Sequence, residues 1–337
     1  MKSAAIAIVR NAVDLAPLTA LHHWLIGVDR LWVVDNGSTD GTYEALKWLA
    51  DRLPGFRVDS DPGPFNQARM TNDLANALLR EGFQAIIPFD ADECWNLSLR
   101  HMMSEFRRHD ANVLSYPVVN YIQSRSVLRT EEGAWRHAIR RVARAINPQT
   151  HISNAVGNQR ISFVERAFGR KVLIMPPPGS EVAYVKGNHS VTFEGQKLAD
   201  LRTVACLHLP LRAASELEKR VVDYKDRHAP FRLSQAQGWR LDYWADRLAT
   251  DKLMAEWAAN SYDADGMLDV YGQQRPTIVD RRLVRHLARG ARFRTLLERE
   301  SARKWLLPLR FVFKARPDRF VVPKNIKGLE NVPPTAQ

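Results

Sequence analysis

Residues 30–42 read RLWVVDNGSTDGT. The apolar run stops on Asp35 and enters Asn-Gly-Ser, which predicts a buried strand ending at a turn. Ser38, Thr39 and Asp40 are residue types that satisfy the free N–H groups of a helix start, and Thr42 to Leu53 then carries helical spacing. The same alternation extends to both sides. Ala4 to Val9 is a short apolar strand, and Leu15 to Ile26 is an apolar-periodic helix stopped at Gly27. FRVDS (Phe56–Ser60) reads as a third strand, Asn66 to Arg80 as another helix and AIIPF (Ala85–Phe89) as a fourth strand. A βαβαβαβ order predicts a mostly parallel central sheet flanked by helices, with ligands bound beyond the carboxyl ends of its strands. Asp35 and Asp90 each stand at such an end.

The fourth strand continues as AIIPFDADECW (Ala85–Trp95), placing Asp90, Asp92 and Glu93 directly after a core segment. Asp90 and Asp92 are two apart and converge on one ion in a turn. Mg²⁺ or Mn²⁺ takes oxygen ligands and keeps only one or two protein carboxylates when it shares its shell with phosphates and water. The competing structural reading is an acidic helix start, with Asp92 and Glu93 at the positive end of a helix around Leu97 to Arg108.

The two segments together resemble the nucleotide-sugar-binding half of bacterial family 2 glycosyltransferases, which have the GT-A fold. The resemblance includes Val9-Arg10-Asn11, the segment His22 to Asp29, VVDNGSTDGT and PFDADE, and it covers residues 4–95 closely. It implies that Asp35 holds the nucleoside, that Asp90 and Asp92 form the DxD motif with Asp92 on the metal, and that Asn11 contacts the donor. Ala12 replaces the usual Glu after that Asn, and Cys94 precedes the aromatic Trp95.

The resemblance is looser in the second half, where GNHSV (Gly187–Val191) and CLHLPLR (Cys206–Arg212) carry it. His208 is similar to the late histidine that closes the metal and diphosphate site, and Arg212 with Lys219 suits phosphate. His189 is a candidate general base, with Glu165, Glu181 and Glu194 as alternatives. The implied enzyme is a hexosyltransferase that uses Mg²⁺ or Mn²⁺ and a nucleoside-diphosphate sugar. Its acceptor would be a glycan or lipid-linked hydroxyl, as in polysaccharide biosynthesis, with inversion at the anomeric carbon.

Composition limits the alternatives. The chain has 337 residues with 45% hydrophobic and 26% charged, which suits a soluble globular protein of one or two domains. Cys94 and Cys206 stand apart without a CxxC, which excludes a disulfide framework and a structural zinc site. The six apolar residues Ala4 to Val9 are too short for a signal segment, so the expected location is cytoplasmic, peripheral at the inner face of the membrane if the tail binds there. From Arg275 onward, sixteen Lys or Arg against five Asp or Glu give that end +11 of the net +12. That tail reads either as a basic helical cap or as a contact for an anionic membrane surface.

The expected division is a GT-A domain over 1–212, donor half 1–95 and acceptor half 96–212, followed by a helical basic region over 213–337. A nucleotidyltransferase would also use acidic metal ligands on a parallel sheet, but the chain has no Gly-rich loop with a basic residue near the first strand and no P-loop. A non-catalytic nucleic-acid-binding protein accounts for the tail and leaves the first ninety residues unexplained.

Overall fold

The computed structural model describes residues 1–148, 152–203, 206–228 and 235–301. The donor half follows the expected order: β1 (Ser3–Val9), α1 (Ala16–Leu25), β2 (Arg30–Asp35), α2 (Thr42–Ala50), β3 (Phe56–Ser60), α3 (Gln67–Arg80) and β4 (Ala85–Pro88). Next come β5 (Glu93–Trp95), α4 (Leu99–Arg108), β6 (Val113–Tyr116), β7 (Val118–Ser124), β8 (Arg140–Val142), α5 (Ile152–Gly157) and β9 (Lys171–Ile174). The short strands β10 (Ala183–Tyr184), β11 (Val191–Thr192), β12 (Leu198–Asp200) and β13 (Cys206–His208) precede α6 (Ala214–His228), α7 (Gln235–Ala249) and α8 (Leu253–Asn260). The described chain closes with β14 (Ser261–Tyr262), β15 (Met267–Val270), β16 (Gln273–Val279) and α9 (Arg282–Ser301).

The central sheet has the order β12-β6-β9-β4-β1-β2-β3, with β1 to β4 mutually parallel where they pair and β9 antiparallel to both β4 and β6. Alternation along β1 divides its side chains between two cores. Ala5, Ala7 and Val9 pack with Leu21 and Trp24 of α1, while Ala4 and Ile6 pack with Met70, Leu74 and Leu78 of α3. Both faces are covered, which is why these strands read as continuous apolar runs. This is the GT-A arrangement of a central sheet flanked by helices.

Pro117 splits the stretch Asn112 to Tyr121 into two strands. Proline cannot donate to a ladder, and the chain changes sheets there: β6 stays in the central sheet and β7 enters a second one. Ala183 to Phe193 holds a β10-β11 hairpin, turned at Gly187 with φ 83°.

The second sheet runs β14-β15-β16-β8-β7-β13-β5, and β14 also pairs with β7, so five of its strands close into a ring. Ile122, Val142, Trp257, Tyr262 and Leu268 fill it against Leu217 and Trp244 of the helices. The expectation of an all-helical region beyond residue 213 is therefore corrected: residues 261–279 are strands that complete a sheet begun by β7 and β8, and a boundary at 212 cuts that sheet. The short, partly polar β14–β16 carry little apolar periodicity; their partners make them strands.

The basic end begins as a packed helix. Leu283, Leu287, Phe293 and Leu297 of α9 are buried, and Gly290 lies so close to α1 that a Cβ there would sit 2.9 Å from the Leu18 carbonyl oxygen. Arg285, Arg292 and Arg299 recur every seven residues on its exposed side. The rest of the tail, 302–337, lies outside the described residues. No described helix is long and apolar enough to cross a membrane.

Candidate active site

Two strand pairings bring the distant motifs together. β5 runs antiparallel to β13 with Glu93 opposite His208, and β13 runs parallel to β7 with His208 opposite Asn120. The Asp90-Ala91-Asp92 turn thus lies beside the HLPLR segment, and Leu209 N–H donates to the Asp92 carbonyl at 2.9 Å. The acidic residues do not start a helix: Glu93 is in β5, and α4 begins at Leu99 behind its own cap, Ser98. A cavity of about 840 Å³ opens over this junction, within the size range of small-molecule sites.

Asp92 lines the cavity with its Oδ2 3.6 Å from His208 Nε2. Burial raises the Asp92 pKa, but His208, Arg220 and Arg212 outweigh it and hold the carboxylate below its ordinary range. The His208 ring is set by Asn120. The Asn120 amide donates to the carbonyls of Val164 (2.8 Å) and Arg166 (3.1 Å), so its oxygen faces His208 Nδ1 at 3.1 Å. That oxygen can only accept, so Nδ1 carries a proton and Nε2 is the ring nitrogen that faces Asp92.

Asp90 has a different surrounding. Its Oδ1 accepts from Gln67 Nε2 at 2.9 Å and its Oδ2 from Lys171 Nζ at 2.6 Å. Lys171 also pairs with Glu93 at 2.8 Å, and Glu93 Oε2 accepts from the Asp90 N–H at 3.0 Å. Burial opposes the Lys171 charge, yet Asp90 and Glu93 together raise its pKa above the ordinary value. This ion pair network holds the turn from below, and it turns Glu93 and Lys171 inward, at 1% and 5% side-chain exposure.

Asp35 stays off the cavity wall and is 1% exposed. Ser38 donates to it twice, from N–H at 2.8 Å and from Oγ at 2.5 Å, so the carboxylate fastens the turn after β2. To reach a nucleoside it would have to exchange those bonds. Asn11, at φ 45°, lines the cavity beside Thr39 and Asp40 and accepts from the Thr39 N–H at 2.9 Å. Arg212 is buried between Asp14 and Glu216, donating to both, and also reaches the Asn11 carbonyl at 3.2 Å. It is committed to joining β1 to α6. Lys219 lines the cavity and is exposed.

His189 also lines the cavity. Its Nδ1 donates to the Arg170 carbonyl at 2.9 Å, leaving Nε2 as the acceptor. Burial and the nearby Lys171 charge lower its pKa. A Cβ on Gly187 would fall 2.6 Å from Nε2, so the left-handed glycine makes room for the ring. The alternative bases lie elsewhere: Glu165 is held by Ser162 and Arg275 at a second cavity, and Glu181 and Glu194 are exposed away from the first.

Asp92 and His208 suit one divalent ion. A carboxylate oxygen and an imidazole nitrogen are acceptable ligands, and no group of three or more His, Cys, Asp or Glu among the described residues could hold a metal alone. The remaining positions would fall to water and substrate oxygens. Sequence reading missed Gln67, Lys171 and Asn120. A lysine opening the apolar strand KVLI was a visible signal; Gln67 and Asn120 offered none.

Residues 18–166 match the family described as glycosyl transferase family 2. No curated protein sequence matches the chain. Among solved structures, HddC from Yersinia pseudotuberculosis is 11% identical, with 69% of this chain and 100% of that one covered at a TM-score of 0.36. A proposed glucose-1-phosphate thymidylyltransferase from Bacillus anthracis, in complex with a sucrose, is 9% identical, covering 71% of this chain and 83% of that one at a TM-score of 0.27.

Proposed function

Because the chain carries a family 2 glycosyltransferase domain, we propose that it moves a sugar, with inversion, from a nucleoside-diphosphate sugar to a hydroxyl of a glycan or lipid-linked acceptor. The observation that carries this reading is the facing of Asp92 and His208 at 3.6 Å, beyond the carboxyl ends of β1 and β4. Asp92 and His208 would hold Mg²⁺ or Mn²⁺, which when bound offsets the charge of the departing diphosphate. Asp90, taken by Lys171 and Gln67, positions the turn and approaches the ribose side of the donor. Asn11, Thr39 and Asp40 form the nucleoside rim, with Asp35 holding their loop from behind.

Arg220 and Arg212 add positive field at Asp92, where negative charge develops on the leaving group. His189 offers a neutral Nε2 that takes the proton of the attacking hydroxyl as it approaches the face of the sugar opposite the diphosphate. The two basic groups thus divide the work: His208 serves the leaving group and His189 the acceptor.

The test is titration calorimetry with a panel of nucleoside diphosphates, with and without Mn²⁺. One base is expected to bind, more tightly with the metal; binding by none in either condition rejects the reading. Asp92→Asn should lower slow donor hydrolysis by roughly 10²- to 10³-fold, the range seen when one group stabilising developing charge is removed, with the melting temperature unchanged. For a lipid-linked acceptor, the exposed arginines of α9 are the proposed membrane contact. Sedimentation with anionic liposomes should then fall with salt, and binding indifferent to lipid charge and salt would reject that contact.

A further inference from the structure

The basic groups around the cavity are unequally provided with anions. Lys171 has Asp90 and Glu93, Arg212 has Asp14 and Glu216, and Arg220 has Glu216 at 2.9 Å. At the nucleoside end Arg10 donates to the Asn36 carbonyl at 2.8 Å, and the exposed Lys219 reaches Thr130 Oγ1 at 3.5 Å. Arg166 lines the cavity with no carboxylate partner among the described residues, and its buried Nε has no hydrogen-bond partner. Its guanidinium instead lies over two rings, 3.9 Å from the centroid of Phe168 and 4.7 Å from that of Phe163. Burial without a counter-charge pushes its pKa down to about 10.

Aromatic contact holds a guanidinium by its face and leaves its N–H edge to bind something else, and that edge matches an oxyanion in a two-pronged arrangement. The position of Arg166 says which substrate would carry the oxyanion. The Phe168 ring touches the His208 ring edge-on at 4.8 Å, so Arg166 sits one ring beyond the Asp92–His208 pair. Its charge reaches His189, the candidate base, and acts to lower that imidazole's pKa. The His189 ring is held to the same segment, by the Arg170 carbonyl and against Gly169, so Arg166 stands beside the candidate base, which is the acceptor side of the reading above.

We propose that Arg166 forms an oxyanion subsite for the acceptor, binding a phosphate or carboxylate that the acceptor carries close to its reacting hydroxyl. This rests on the transferase reading above and narrows its substrate class: the acceptor is anionic, either a lipid phosphate or an acidic sugar. The aromatic floor supplies a dry surface on which the ion pair is stronger than in water.

The experiment uses the full chain with Mn²⁺ and a saturating nucleoside diphosphate, titrated separately with decyl phosphate below its aggregation point, with glucuronate, and with glucose as the neutral control. One anion is expected to bind and glucose not; which one binds separates the lipid from the acidic-sugar source. Arg166→Gln should weaken that binding about 10- to 100-fold, as for loss of a hydrogen-bonded ion pair, while nucleoside diphosphate affinity stays within about twofold. Arg166→Lys, which keeps the charge and loses the fork, should give an intermediate loss and serves if the glutamine variant does not fold. Binding of neither anion, or equal binding by wild type and variants, overturns the subsite. An equal loss of nucleoside diphosphate affinity assigns Arg166 to the donor and also overturns it. If no nucleoside diphosphate binds while the anion arms behave as expected, the transferase reading fails and takes the acceptor assignment with it, so the two failures read differently.

Discussion

The two walls of the cavity are held by different means. On the side of Asn11 and Asp35, groups are fixed by neighbours in sequence or in the adjacent turn: Ser38 binds Asp35 three residues away, and Asn11 and Thr39 close two strand-end loops on each other. On the side of Asp92 the partners are far apart in the chain. Lys171 reaches back 81 residues to Asp90, His208 lies 88 residues from Asn120, and Arg212 bonds Asn11 across 201. The first wall is a set of turns that β1 and β2 would form nearly anywhere. The second exists only once both sheets have assembled, so its chemistry depends on the whole fold.

The largest expected difference comes from Lys171→Met. It leaves Asp90 and Glu93 without their shared cation, and removing one partner of a buried ion pair costs about 3–5 kcal/mol. Urea unfolding should show a loss of that size at neutral pH, shrinking toward acid as Glu93, whose pKa burial raises, takes up a proton; a loss below about 1 kcal/mol, the range of exposed pairs, would show that the second wall does not depend on this network.

Next in size is a pH effect outside both walls, where His22, His23 and His286 cluster between α1 and α9. Burial lowers His23 to about 3 and His286 to about 4. The unfolded chain takes up these protons first, below about 6.5, so stability falls as pH drops from about 6.5 toward 4. The expected loss is about 3 kcal/mol for His286 alone, because each tenfold drop in proton affinity on folding is worth about 1.4 kcal/mol. Unfolding at pH 7.5 and 5 should show most of the slope, and His286→Gln should flatten it; an unchanged slope would separate the cluster from α9 docking.

Asn120→Ala tests the second wall at a single bond. Freed from Asn120, the His208 ring loses its fixed tautomer, and apparent Mn²⁺ affinity should weaken roughly 10- to 100-fold, as for other residues that orient a metal ligand. Mn²⁺ dependence of nucleotide binding is the readout, and a shift in maximal rate alone would contradict a positioning role. The smallest effect belongs to Ser38→Ala on the first wall, about 1 kcal/mol, with the cavity intact. If Ser38→Ala matched Asn120→Ala in its effect on metal affinity, the distinction between the walls would collapse.

Much of the first wall was legible. The strand-turn-helix repeat, the parallel order of β1 to β4 and the carboxylates at strand ends follow from period, turn residues and helix caps, which act over a few positions. Glu93 could be suspected of a supporting role, but its partner Lys171 could not be named. The split of Asn112–Tyr121 was marked by Pro117, yet nothing local says that the two halves join different sheets.

By itself the sequence determined the α/β alternation, the parallel β1–β4 part of the sheet and the residues that had to stand at its open edge, because hydrophobic period and turn chemistry are local. Only the tertiary structure decided which carboxylate is spent on Lys171 and which faces His208. It also recruited residues 261–279 as strands, packed the first part of the basic tail on α1 and left Arg166 over two aromatic rings without an anion. Those outcomes depend on pairings tens to hundreds of residues apart, whose register is set when the two sheets pack and by no pattern along the chain.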